Sequence, residues 1–332
     1  MKRTTATTRT SFQAHNNAIF DIRWSANDRY LATASGDQSL CVFDAETQQE
    51  VAKACGHLST IKQVVWDPQQ GDGSSVLATG SRDGSVRIWD LRSREKDGED
   101  ETMDARLDVD QVNLIQNAHG LKAKSGKGLK SSRTAVRSVT SIVYLQQRDH
   151  LIASAGSADG IVKVWDLRKS HSRRINPVPI ASSPDHSLVT PPNAPPRSHG
   201  ISTLSLSPDG TSLYAMSTSH AVYQLDARNL SAASPLKTLT APALPHASFR
   251  TSSFYTKLAL SPSGHPYGGG RFLTAGSQDG SIWMWDTEES TGKKAIALNG
   301  HAKETEVTAM DWSSEGFMSC SDDVGLHFFS RG

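Results

Sequence analysis

Three residue types in the first third of the chain could do chemistry together: His57, Ser81 and Asp83, followed by Trp89. A histidine, a hydroxyl and a carboxylate form the constellation of a Ser-His-Asp hydrolase, where the base takes the hydroxyl proton and the carboxylate orients the base. The same types recur, however. With a turn aspartate as anchor, an aromatic stands six residues later at Asp37/Phe43, Asp83/Trp89, Asp159/Trp165, Asp279/Trp285 and Asp323/Phe329. A serine stands two residues before each aspartate, at Ser35, Ser81, Ser157, Ser277 and Ser321. An active site occurs once, so repetition assigns these residues to a structural hydrogen-bond network within each repeat. The expected chain runs from tryptophan N–H to serine, from serine to histidine, and from histidine to the turn carboxylate. No metal-binding helix motif, phosphate loop or dinucleotide fingerprint is present. No catalytic residue, metal ligand or cofactor is assigned, and the chain is not expected to be an enzyme.

The elements that position these residues read as strands. Leu77 to Arg92 (LATGSRDGSVRIWDLR) and Leu151 to Arg168 (LIASAGSADGIVKVWDLR) are near-copies, each a strand, a tight turn and a second strand. Asp83-Gly84 suits the turn, because glycine takes positive φ without a Cβ penalty. Histidines lie upstream at His15, His57, His119 and His301, and strands ending in Trp24, Trp66 and Trp312 follow three of them. This histidine, serine, aspartate and tryptophan pattern over a unit of about 40 residues resembles the WD repeat, four strands to a propeller blade. The resemblance implies an all-β WD-repeat β-propeller with six visible repeats, or a seven-bladed propeller lacking its first blade. The fourth repeat keeps the strand rhythm but has Leu225 where the aromatic would stand.

Composition is compatible with that reading. The 332 residues are 36% hydrophobic and 21% charged, enough for a large core. The net charge of +1 gives no field favouring nucleic acid or a membrane surface. Three cysteines, Cys41, Cys55 and Cys320, lack ligand spacing, which points to a reducing compartment. There is no long apolar run and no secretory h-region.

Residues 1–10 are polar and threonine-rich, a disordered terminus, and residues 11–332 form the propeller with surface insertions at about 93–137 and 169–200. Ser11 to Gln13 is expected to supply a lone strand to the last blade. Within the first insertion, VNLIQNAH is expected to close repeat two, and the basic run from Lys122 to Arg133 is a solvated loop without an aromatic for base stacking. Strong sequence-specific nucleic-acid binding is not expected. In the second insertion, Pro179 to Ser182 is expected to close repeat three.

Arg92 and Arg168 leave the ends of two third strands, on the rim opposite the turns of Asp83 and Asp159. A guanidinium there can pair within its own blade, reach a neighbouring blade, or grip a partner's carboxylates and carbonyls. The two Trp-Asp-Leu-Arg boxes resemble the paired boxes of substrate receptors that dock on the damaged-DNA-binding adaptor of cullin-4 ubiquitin ligases. The order of segments resembles the denticleless family more closely still. It is carried by AHNNAIFDIRW (14–24), GHLSTIKQVVW (56–66), the two boxes, SSFYTKLALSP (252–262) and SCSDDVGL (319–326).

That resemblance implies an adaptor. Asp90, Arg92, Asp166 and Arg168 would hold the ligase. The opposite face would read a degron on substrates bound to the replication sliding clamp, confining ubiquitination to replicating or damaged chromatin. Phe20, Lys62, Arg82, Phe254 and Tyr255 are the degron-face candidates, an aromatic and cationic set suited to hot-spot contacts. Nuclear residence is expected, with cytoplasmic residence also allowed. The alternative is a WD scaffold or chromatin and histone-tail reader unrelated to ubiquitin ligases, which would leave Arg92 and Arg168 without a role in binding.

Overall fold

A computed structural model describes residues 11–69, 75–94, 108–120, 137–146, 148–169, 177–188, 198–239, 248–251, 253–264, 269–289 and 295–330. The terminus at 1–10, the basic run at 122–133 and the middle of the second insertion lie outside these residues.

The described chain forms six antiparallel sheets in sequence order. The first holds β1 (Ile19–Trp24), β2 (Tyr30–Ser35), β3 (Leu40–Asp44) and β4 (Glu50–Ala54). The second holds β5 (Ile61–Trp66), β6 (Val76–Ser81), β7 (Val86–Arg94) and β8 (Val109–Ile115). The third holds β9 (Val139–Tyr144), β10 (Leu151–Gly156), β11 (Val162–Asp166) and the short β12 (Ala181–Ser182). The fourth holds β13 (Ile201–Leu206), β14 (Ser212–Ser217), β15 (Ala221–Asp226) and β16 (Lys237–Leu239). The fifth holds β17 (Leu258–Leu260), β18 (Phe272–Gly276), β19 (Ser281–Asp286) and β20 (Ala295–Asn299). The last has three strands among the described residues, β21 (Val307–Trp312), β22 (Gly316–Ser321) and β23 (Leu326–Ser330).

Each sheet is a meander because tight turns join its middle strands. In the second sheet, Gly84 sits at φ 80° between β6 and β7, and its N–H bonds the Ser81 carbonyl at 3.1 Å. Only glycine takes that conformation at little cost. The closing strands foreseen in both insertions are present as β8 and β12. The lone strand expected at Ser11–Gln13 is not: that segment has no strand pairing. The Phe12 ring instead packs at a tilt on Phe43 of β3 at a centroid distance of 5.0 Å, so a ring contact ties this segment to the first sheet.

Two compact units divide the chain, one of Phe12–Ala158 with Lys163–Ile180, the other built chiefly of Ala181–Gly332. In the former, Ala32, Ala34, Leu40 and Val42 pack with Ile61, Val64, Leu77 and Trp89, joining the first two sheets. Val86, Ile88 and Ile115 pack with Ile142, Ile152 and Trp165, joining the second and third. In the latter, Tyr214, Met216 and Val222 pack with Leu273, Trp283 and Trp285. Ile282 packs with Val307, Met310, Phe317 and Phe329. Alternation along each strand supplies these faces, since period 2 places every second side chain against the next sheet.

Candidate protein-docking site

The repeated network is present, with a different hydroxyl at its centre. His57 Nδ1 lies 3.0 Å from Asp83 Oδ2, and His57 Nε2 lies 2.7 Å from the Thr79 hydroxyl. Trp89 Nε1–H donates to that same Thr79 oxygen at 2.8 Å. Ser81 was expected to bridge; its hydroxyl instead donates to the Ser59 carbonyl and accepts the Asp83 N–H, holding the turn. Register explains the correction. Leu77 faces Trp89 and Thr79 faces Arg87, so Thr79 is the near diagonal neighbour of the indole, whereas Ser81 lies beyond the last paired residue of β7.

In the third sheet Ser154, not Ser157, takes the bridge, bonding His119 Nε2 and Trp165 Nε1 at 2.9 Å each. Thr33 and Ser319 take the same place beside His15 and His301, each at 2.8 Å, but meet only the histidine, because Phe43 and Phe329 have no N–H to donate. In the fifth sheet Ser277 likewise serves the turn, donating to the Ser248 carbonyl at 3.0 Å, while Asp279 accepts the Ser281 hydroxyl. Trp285 there is fully buried.

Burial fixes protonation in the second sheet. Desolvation lowers the His57 pKa, so the imidazole is neutral at pH 7. Asp83 lies well below the usual carboxylate range: burial alone would raise it, but the His57, Ser85 and Leu58 N–H donors together outweigh that. With His57 3% exposed, this hydrogen-bonded set faces the protein interior.

The surface feature is at the other end of the strands. Arg92 Nε–H donates to Asp90 Oδ1 at 2.9 Å and its Nη2 to Oδ2 at 2.8 Å. Arg168 repeats this on Asp166 at the same two distances. The backbone N–H groups of Arg92 and Arg168 also bond Oδ1 of the same aspartates, at 3.0 Å. Each arginine thus pairs with its own box rather than with a neighbouring sheet. The side chains nonetheless stay 67% and 66% exposed. A guanidinium carries five N–H donors, and the fork engages two, so three remain for another acceptor. The Arg92 hydrogen bond holds Asp90 ionised below the ordinary range, and Arg168 does the same for Asp166.

The two forks share an edge. Asn113 of β8 sits opposite Ile88, just before the first box. Its Nδ2 donates to the Leu167 carbonyl at 2.8 Å and the Lys169 carbonyl at 3.3 Å, the two residues flanking Arg168. The ends of β7 and β11 therefore lie on the same side of neighbouring sheets. No part of the Asn113 tie was read from the sequence; an asparagine in a closing strand gives no pattern of its own.

Among the degron-face candidates, Lys62 Nζ lies 4.1 Å from the Phe20 ring centroid, so these two meet as a cation–π pair on β5 and β1. Arg82 is exposed beside Asp83, and its N–H bonds the Thr60 carbonyl. Phe254 and Tyr255 lie in the other unit, Phe254 half-buried and Tyr255 exposed.

A family model described as WD domain, G-beta repeat matches residues 6–44, 48–90, 127–166 and 252–286. The chain is a six-bladed WD-repeat β-propeller. A chain of a crystal structure titled "Crystal Structure of Mitotic Checkpoint Complex" has the same fold, with a TM-score of 0.63 at 15% identity, covering 96% of this chain and 76% of that one. Among curated relatives, Denticleless protein homolog B of Xenopus laevis is 34% identical over 327 residues, which is 94% of this chain and 41% of the relative. Cell division cycle protein cdt2 of Schizosaccharomyces pombe is 36% identical over 320 residues, 94% of this chain and 57% of the relative. Denticleless protein homolog of Homo sapiens is 31% identical over 328 residues, 95% and 40% respectively. The WD-repeat chain is thus related to the denticleless proteins at moderate identity, and it spans about four-tenths to six-tenths of their length.

Proposed function

We propose that this WD-repeat chain is the substrate-recognition part of a cullin-4 ubiquitin ligase, docking through Asp90–Arg92 and Asp166–Arg168 on the damaged-DNA-binding adaptor. The observation that carries the reading is the pair of identical forks on one edge of adjacent sheets. A fork pre-sets a planar guanidinium, so little side-chain freedom is lost when a partner binds it. Relatedness to the denticleless proteins supports the same role.

The turn-bearing side of the first unit, with the Phe20–Lys62 pair and Arg82, then presents a surface for a degron, and Phe254 and Tyr255 are the candidates on the other unit taken by itself. Substrates would be replication and cell-cycle proteins displayed on the sliding clamp, and the site of action the nucleus.

Co-purification of the chain with the adaptor tests this. Wild type is expected to retain the adaptor, and an Arg92→Ala/Arg168→Ala variant to lose it while keeping its melting temperature. Undiminished retention by the variant would overturn the reading and leave a WD scaffold whose ligand binds elsewhere.

A further inference from the structure

The last sheet departs from the repeat at three positions, and all three converge on one spot. The turn aspartate is followed after two residues by Ser39, Ser85 and Ser281 in the first, second and fifth repeats, and each hydroxyl donates to its aspartate. The last repeat has Gly325 there, which gives Asp323 only its backbone N–H, at 2.8 Å. Four residues after the aspartate stand Cys41, Arg87 and Trp283 in those repeats, but His327 here. Third, Phe329, like Phe43 of the first repeat, stands where the second and third repeats have a tryptophan whose N–H occupies the bridging hydroxyl.

The consequence is a cluster of three donors. His301 Nδ1 lies 3.1 Å and 3.2 Å from the two Asp323 oxygens, and His301, Asp323 and His327 each offer a ligand atom within 4.8 Å of the others. The two imidazoles meet edge to face at 4.4 Å. A Cβ on residue 325 would lie 2.8 Å from Asp323 Oδ1 and 3.0 Å from His327 Nε2, so only the glycine leaves that space open. The His301 side chain is buried, while the Asp323 side chain is partly exposed and His327 is half-buried, and Val324 and Leu326 beside them are open to solvent, so an ion would enter from the Asp323–His327 side.

We propose that His301, Asp323 and His327 bind a zinc ion. Two imidazoles and a carboxylate are a donor set zinc takes, with bonds of about 2.0–2.2 Å and a fourth position for water or a partner's side chain. Ligand atoms on one such ion sit closer together than 4.8 Å, so binding draws the three side chains inward. Coordination through Nδ1 requires the His301 proton on Nε2, where the Ser319 hydroxyl, 2.8 Å away, can accept it. In the second sheet the Thr79 oxygen already accepts an indole N–H; Phe329 has none to give Ser319.

Calorimetric titration of the chelator-treated chain with zinc chloride, paired with thermal unfolding with and without zinc, tests the site. Wild type is expected to bind one zinc in the micromolar range and to melt higher with it. His327→Ala and, independently, Gly325→Ser are expected to weaken binding by about tenfold or more. Both variants should melt like wild type in chelator, so a loss of affinity is separable from a loss of fold. Equal affinity in wild type and both variants, or no saturable binding by wild type at millimolar zinc, would overturn the proposal.

Discussion

Thr79 shows how much one hydroxyl can hold. It is fully buried and serves both the His57 imidazole and the Trp89 indole. Thr79→Val keeps the shape and orphans two buried polar groups, each costing about 1–3 kcal/mol. We expect a loss of about 2–4 kcal/mol in denaturant unfolding, and recovery of most of it in Thr79→Ser. A loss no larger than that of a surface substitution would remove Thr79 from the network. Val324 offers the opposite sign. It holds φ 60° and is 95% exposed, at the turn position that Gly84 and Gly280 occupy in other repeats. Left-handed backbone costs an L-residue about 1–2 kcal/mol, so Val324→Gly is expected to raise stability by about 1 kcal/mol. A lowered unfolding midpoint would contradict that. Spacing alone could not separate Thr79 from Ser81, because both point to the same face of β6; only the register against β7 decides. The Asp90–Arg92 fork was more legible, since residues i and i+2 at a strand end share a face.

At the scale of elements, neighbouring sheets are tied by side chains that complete backbone groups. Gln63 Oε1 accepts the Ile142 N–H at 2.7 Å, and Gln63 is buried. Gln63→Leu leaves that N–H unpaired, and unfolding should become easier by about 1–3 kcal/mol. Asn113 is the functional counterpart, fixing the backbone on either side of Arg168. Asn113→Ala is expected to weaken adaptor binding several-fold with little change in melting temperature; unchanged binding would show that the fork needs no such support. The six sheets themselves were legible, because Asp-Gly turns and aromatic positions recur at fixed spacing. The role of Ser11–Gln13 was not: three residues carry no alternation to read, and Phe12 is placed by a tilted ring contact with Phe43.

At the scale of the molecule, acid should act on stability in two steps. Burial lowers the His57 pKa, so below the ordinary imidazole value of 6.5 the unfolded chain takes a proton that the folded one refuses, and stability falls. His220 is lowered by burial as well and adds to that step. Asp83 is held below its ordinary 3.8, so a further loss follows as the unfolded carboxylate protonates below that pH. Denaturant midpoints are expected to fall from pH 8 to pH 5.5 and again below pH 4; a flat profile to pH 4 would contradict a neutral, buried His57.

The central claim is that two forks on one edge grip one partner. Titrating the purified chain with the purified cullin-4 adaptor subunit addresses it most directly, using wild type, Arg92→Ala, Arg168→Ala and the double variant. Each single change is expected to weaken binding by about tenfold or more, and the double to abolish it. Four indistinguishable affinities would contradict the account.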